Sequence, residues 1–175
     1  MLTGLIMDKQ NRKFSKSLGN GIDPIEMIEN HDFSPDALRL FMLGKSSHLD
    51  MKISQNDQDW FANKKFLNKL WQSARFLFLQ KEKLENYQFI EIQAEKEVIG
   101  FIDDFDKLIE SRNFIEATRQ FKHFYKEYFC DIWIENSKQN MSNEMLNIGF
   151  ANMRLLLERF SIFCPQISDF IISEI

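Results

Sequence analysis

Metal-binding and disulfide chemistry are the first things this sequence lacks. It has two cysteines, Cys130 and Cys164, set far apart, and three scattered histidines, His31, His48 and His123. Without a CxxC pair or clustered histidines there is no zinc-ligand spacing and no disulfide framework. Two such thiols suit the core of a chain kept reduced in the cytoplasm. No apolar run reaches the length of a membrane span, and no secretory signal precedes the first charges. The expectation is a soluble, cytoplasmic protein. Excess positive charge is missing too: 22 Lys and Arg face 26 Asp and Glu, a formal net charge of −4. That excludes a uniformly basic nucleic-acid binder. The spaced glycines of a Walker A loop, GxxxxGK[ST], are also absent.

What the chain has is aromatic bulk. It holds 18 Phe, and 44% of its residues are apolar. That is ample for a packed core and argues against disorder. The length of 175 residues suits one sizeable domain, or a small one plus an appendage. Charge is unevenly placed. Residues 64–83 carry Lys64, Lys65, Lys69, Arg75, Lys81 and Lys83 against Glu82 alone. Residues 84–110 carry eight acids against Lys96 and Lys107. A local basic face binds RNA even on an acidic protein, and the alternative is a solvated helix face.

Helical spacing dominates beyond residue 56. Trp60, Lys64 (through its stem), Leu67, Trp71, Ala74 and Phe78 step by three or four and predict one long helix with these residues on its buried side. Val98, Phe101, Phe105 and Leu108 mark a second. A third runs from Phe114 and Ala117 through Phe121, Phe124 and Tyr128 to Ile132. Leu146, Phe150, Met153, Leu157, Phe160 and Cys164 mark a fourth, which Pro165 should end, with a short helix to follow. Amphipathic helices of this length bury their stripes against one another, so a bundle is expected.

The N-terminal part is mixed. Residues 2–7 read as a strand and 8–12 as a polar turn. Asp23-Pro24-x-Glu26 and Ser34-Pro35-Asp36 are helix starts, and Gly44 should end the helix built on Ala37–Leu43. Residues 45–56 read as a polar connection. The fold class is therefore mainly α: a small mixed segment, 1–53, followed by a helical bundle, 54–175. A segment of 53 residues cannot bury a stable core alone and reads as the edge of a larger domain.

Between the strand and the first helix lies Lys13-Phe14-Ser15-Lys16-Ser17-Leu18-Gly19-Asn20. Two lysines interleaved with hydroxyls suit a polyphosphate: ammonium groups offset charge on phosphate oxygens, and serines donate hydrogen bonds. Gly19 permits a turn that other residues resist. Read alone, the segment is also compatible with an exposed basic loop. Together with Ile22-Asp23-Pro24 and Asp36-Ala37-Leu38-Arg39, it resembles the KMSKS region of class I aminoacyl-tRNA synthetases, with Phe14 where that family usually has methionine. Ser34-Pro35 replaces the Gly-Ala that often precedes Asp-Ala-Leu-Arg. Further along, Asp50–Ser54, Lys65–Phe76, Phe129–Glu135 and Phe160–Ile167 are similar, in order, to segments of the valyl branch. Isoleucyl and leucyl enzymes match the Asn68-Lys69-Leu70-Trp71 and Cys130-Asp131 segments less well.

The resemblance implies a parent activity in which ATP activates valine, with Mg²⁺ assisting, and the valyl group passes to tRNA(Val). It implies that Lys13 and Lys16 are catalytic. Lys13, Phe14, Ser15, Lys16 and Ser17 would form the ATP-binding loop, with Gly19, Asn20 and Asp23 shaping it. It also implies that the bundle holds the tRNA anticodon arm, for which Lys64, Lys65, Lys69 and Arg75 are the candidate surface. Trp71, falling on the apolar stripe, is expected in the core. No HIGH-type sequence, editing insertion or C-terminal coiled coil occurs in the 175 residues. The expectation is a monomeric piece that does not activate valine by itself. Two rivals stand beside this reading: another class Ia synthetase or a freestanding tRNA-binding module, and a plain helical interaction bundle.

Overall fold

The computed structural model describes residues 4–31, 33–45, 50–54 and 57–175. Of the strand expected at 2–7, β1 (Ile6–Met7) forms, while residues 1–3 lie outside the described residues. Helices α1 (Pro24–His31) and α2 (Pro35–Lys45) follow, then β2 (Met51–Lys52). The strand β2 falls within the stretch read as a connection, whose residues 46–49 and 55–56 lie outside the described residues. The two strands pair in parallel, Ile6 opposite Met51 and Met7 opposite Lys52. Parallel neighbours need a crossover rather than a hairpin. That crossover carries the lysine loop and both helices.

The remainder is helical. Helix α3 (Gln58–Lys83) is followed by α4 (Lys96–Glu110) and α5 (Phe114–Phe124). The last of these continues into a π-helical stretch (Tyr125–Ile134) and a closing turn, α6 (Glu135–Ser137). Helices α7 (Asn143–Phe160) and α8 (Pro165–Glu174) complete the bundle, with Pro165 opening a new helix as expected. The start signals also hold. Asp23 Oδ1 accepts from the Ile25 N–H at 2.8 Å, and Ser34 Oγ from the Ala37 N–H at 3.2 Å. Gly44 does not end α2, which runs to Lys45. A Cβ there would stand 3.3 Å from Thr118 Oγ1 of α5, so the glycine serves a close helix approach instead.

Aromatic rings build the core. Phe121 and Phe160 stack at 3.9 Å between centroids, and Phe66 meets Phe121, Tyr125 and Phe160 edge-on. Edge-to-face geometry aligns ring quadrupoles and adds to the burial of apolar area. Tyr125 is fully buried, so its hydroxyl needs a partner, and it finds Ser73 Oγ at 2.6 Å. Both cysteines are buried and free. Burial pushes the Cys130 thiol up to about 12 and raises Cys164 further.

Two stripe readings need correction. The fourth stripe is buried from Leu146 to Cys164. In the third, Ile132 is exposed, and burial passes instead through Tyr125, Phe129 and Trp133. A π-helix has more residues per turn, so a face repeats at wider spacing than the α period assumes. On α3 the buried face is rotated toward Phe66, Leu70 and Leu77, which leaves Trp71 37% exposed.

Helix α2 is built into the bundle. The Phe41 ring stacks on Trp60. The Asp36 carboxylate is buried and accepts from the N–H groups of Gln166 at 3.3 Å and Ile167 at 2.7 Å, capping α8 from a distant part of the sequence. The Arg39 guanidinium donates to the Ile162 carbonyl at 3.0 Å. On the opposite side, Asn143, Asn147 and Asn152 of α7 grip the extended segment 87–95 through their side-chain amides.

Candidate functional site

The lysine loop is shaped by two side chains at its base. The chain leaves β1 and turns back at once. The Asp8 N–H donates to the Arg12 carbonyl at 2.9 Å, and Asn11 takes a left-handed φ of 61°, which asparagine tolerates. The Asp8 carboxylate fills this turn. It accepts from the N–H groups of Gln10 and Arg12, from Arg12 Nε at 2.8 Å and from Asn20 Nδ2 at 3.0 Å. The Asn20 amide, with help from Arg12, holds this carboxyl well below the usual carboxylate range.

Asn20 is the second clamp. While bonding Asp8, its side chain also donates to the Lys13 carbonyl at 3.2 Å and accepts the Ser15 N–H at 2.9 Å. The two ends of the loop are thereby closed on one amide. The Lys13 backbone bridges to Met7, and the Phe14 N–H donates to the Ile6 carbonyl at 3.2 Å, laying the loop's first arm along β1. A single 3-10 turn, Lys16–Leu18, ends at Gly19 with φ 58°. This is the left-handed position that favours glycine.

The side chains divide by direction. Phe14 is half-buried and lines an apolar cavity of about 200 Å³ with Ile6, Ile22, Met27, Leu38 and Trp60. It anchors the loop from behind. Lys13, Lys16 and Ser17 are exposed. Ser15 Oγ and Ser17 Oγ lie 2.7 Å apart. No ion pair holds Lys13 or Lys16 among the described residues. Two cations are thus presented by a framed loop with their charge free for an incoming anion. Asp8 was not singled out by the sequence reading. Its signal is an aspartate opening a polar turn, able to bond the backbone two residues on.

The four candidate RNA contacts on α3 do not converge on one spot. Lys65 and Arg75 lie on the exposed face of the helix. Lys64 sits at one edge, its Nζ 5.7 Å from the Phe33 ring centre. Lys69 sits at the other edge, 3.2 Å from Asp131. No group of three or more His, Cys, Asp or Glu side chains surrounds a metal position among the described residues. No helix among them is long and apolar enough to cross a membrane.

Residues 1–54 match the family model described as tRNA synthetases class I (I, L, M and V). The valine--tRNA ligase of Latilactobacillus sakei subsp. sakei (strain 23K) is 35% identical over 188 residues, covering 100% of this chain and 21% of the relative. That of Malacoplasma penetrans (strain HF-2) is 32% identical over 191 residues, covering 96% and 20%. That of Bacillus cereus (strain ATCC 10987 / NRS 248) is 36% identical over 154 residues, covering 82% and 17%. The chain is similar, over most of its length, to the valine--tRNA ligase branch of the class I tRNA synthetases. It spans about a fifth of the length of these curated relatives. Among solved structures, it is similar to the LeuRS chain of a LeuRS-tRNA-LeuAMS ternary complex from Agrobacterium radiobacter K84. The TM-score is 0.68 at 21% identity, covering 98% of this chain and 21% of that one. At that identity the likeness shows the fold alone: the crossover and bundle of this chain share one architecture with that LeuRS chain.

Proposed function

We propose that this chain supplies two working parts of a cytoplasmic valine--tRNA ligase: the lysine loop that handles ATP, and the bundle that holds the anticodon arm of tRNA(Val). The observation that carries the first part is the loop geometry. Lys13 and Lys16 stand exposed and, among the described residues, without ion-pair partners on a frame fixed by Asp8 and Asn20, in a chain whose relatives are valine--tRNA ligases.

When valine's carboxylate attacks the α-phosphate of ATP, negative charge spreads over the phosphate oxygens and pyrophosphate departs. Ammonium groups held in place stabilise that charge with little reorganisation at the moment of reaction. Lys16, at the start of the 3-10 turn, is the first choice for this contact and Lys13 the second. Ser15 and Ser17 support the phosphates or the loop, and Phe14 holds the loop to its apolar base. The loop's lysines and hydroxyls fit phosphate oxygens but offer no carboxylates for a metal. Mg²⁺ would therefore arrive bound to ATP, where it neutralises phosphate charge. The segment boundary at residues 53–54 separates the ATP-handling crossover from the RNA-holding bundle, and the assembly acts as a monomer.

The test is a graft. This chain replaces the matching segment of the Bacillus cereus valine--tRNA ligase, and valine-dependent pyrophosphate exchange is measured. Exchange should be retained in the graft and fall roughly a hundredfold or more in K16A. A folded, active graft indifferent to both K13A and K16A contradicts the reading. The 175-residue chain alone should show no exchange, because one wall of a site does not stabilise a transition state.

A further inference from the structure

We propose that Trp71 and Phe170 form a stacking site for one unpaired RNA base. The proposal rests on the reading of the bundle as a tRNA-binding surface, and it deepens that reading by naming where a base, rather than a phosphate, is held.

Trp71 of α3 and Phe170 of α8 face each other with ring centroids 5.6 Å apart at 48°. They are 37% and 51% exposed, whereas the chain's other tryptophans, Trp60 and Trp133, are 3% and 5% exposed. The pair therefore joins two helices at the surface with large π-faces left in water. Unpaired RNA bases are held by such faces, at little cost in sequence preference, while lysine and arginine track the backbone.

The surrounding charge is divided in the way this use requires. Helix α3 has no acid between Asp59 and Glu82, and Arg75 lies exposed one turn beyond Trp71, with Lys65 on the same outward face. Helix α8 carries Asp169 and Glu174 and no Lys or Arg. Phosphates are attracted along α3 and have no cation to bind on α8. A neutral planar ring stacks on the solvent-facing side of the Trp71 and Phe170 pair, not between its two rings, which already pack on each other. The exposed Asn68 and Gln72, flanking Trp71 on α3, add amide donors and acceptors suited to a base edge.

The test is equilibrium binding of a tRNA(Val) transcript by the 175-residue chain, with acrylamide quenching of tryptophan emission in parallel. Trp71 should dominate the quenchable emission, and bound tRNA should protect it. W71A and F170A should each weaken binding roughly ten- to a hundredfold without changing the dependence on salt, and W71F should retain most of the affinity. Binding that both alanine variants leave intact overturns the stacking site but not the tRNA reading. Absence of any binding by the unmodified chain at low salt overturns both. A concentration-dependent dimer that W71A dissolves, with RNA binding unchanged, assigns the pair to a second copy of this chain and also overturns the proposal.

Discussion

The lysine loop and the bundle are held together by different forces. The loop is fixed by polar bonds that converge on Asp8 and Asn20, with its own cations pointing into solvent. The bundle is fixed mainly by interlocked rings around Phe121 and Phe160. Packed interiors resist any change of volume. A hydrogen-bonded surface frame yields to a lost acceptor or a proton. The lysine loop, proposed to handle phosphate, is thus the easily adjusted part, carried on a base that is not.

The largest effect should come from breaking the rings. Phe160→Ala removes the stacking partner of Phe121 and should cost about 3–5 kcal/mol, read as a lower urea midpoint. Gly149→Ala should follow. An added Cβ there meets the Trp133 ring and Leu77, and overpacking costs about 1–3 kcal/mol. Asp36→Ala uncaps α8 from within the crossover and should cost about 1–2 kcal/mol. Asp36→Asn, which keeps an acceptor, should recover part of that loss in the same thermal melt.

Loop variants should behave differently. Asn20→Ala should shift global stability by no more than about 0.5 kcal/mol, while amide exchange at Ser15 accelerates as its acceptor disappears. An equal loss of protection across the bundle would erase the distinction between the two regions. The smallest effect is acid. The Asp8 carboxyl is held below its ordinary value of 3.8 in the fold. Its contribution is present above that value and is lost as pH falls through the lower folded value. NMR signals of the Asn20 side-chain amide should therefore stay unchanged through mildly acidic pH and move only below it. Movement near neutrality would contradict the assignment.

Much of this was legible in the sequence because it is local. The lysine loop, the Asp23 and Ser34 caps and the stripe from Leu146 to Cys164 each declare themselves within a few residues. What was not legible depends on distant partners or on a changed period. The π-helical stretch moved burial from Ile132 to Trp133. The rotation of α3 that exposes Trp71 is set by where Phe66 and Leu70 find partners. Asp36 reads as an ordinary first-turn acid of α2, and only the fold brings the start of α8 to it. The three α7 asparagines read as polar interruptions of a helix until the segment 87–95 lies across them.

The division of labour is tested most directly by titrating salt into the complex of the 175-residue chain with a tRNA(Val) transcript. Affinity should fall steeply as salt rises. Lys65→Ala and Arg75→Ala should lower both the affinity and the slope, while Lys13→Ala and Lys16→Ala change neither. Binding independent of salt, or weakened by the loop variants and not by those on α3, would contradict the assignment of RNA to the bundle and of phosphate chemistry to the loop.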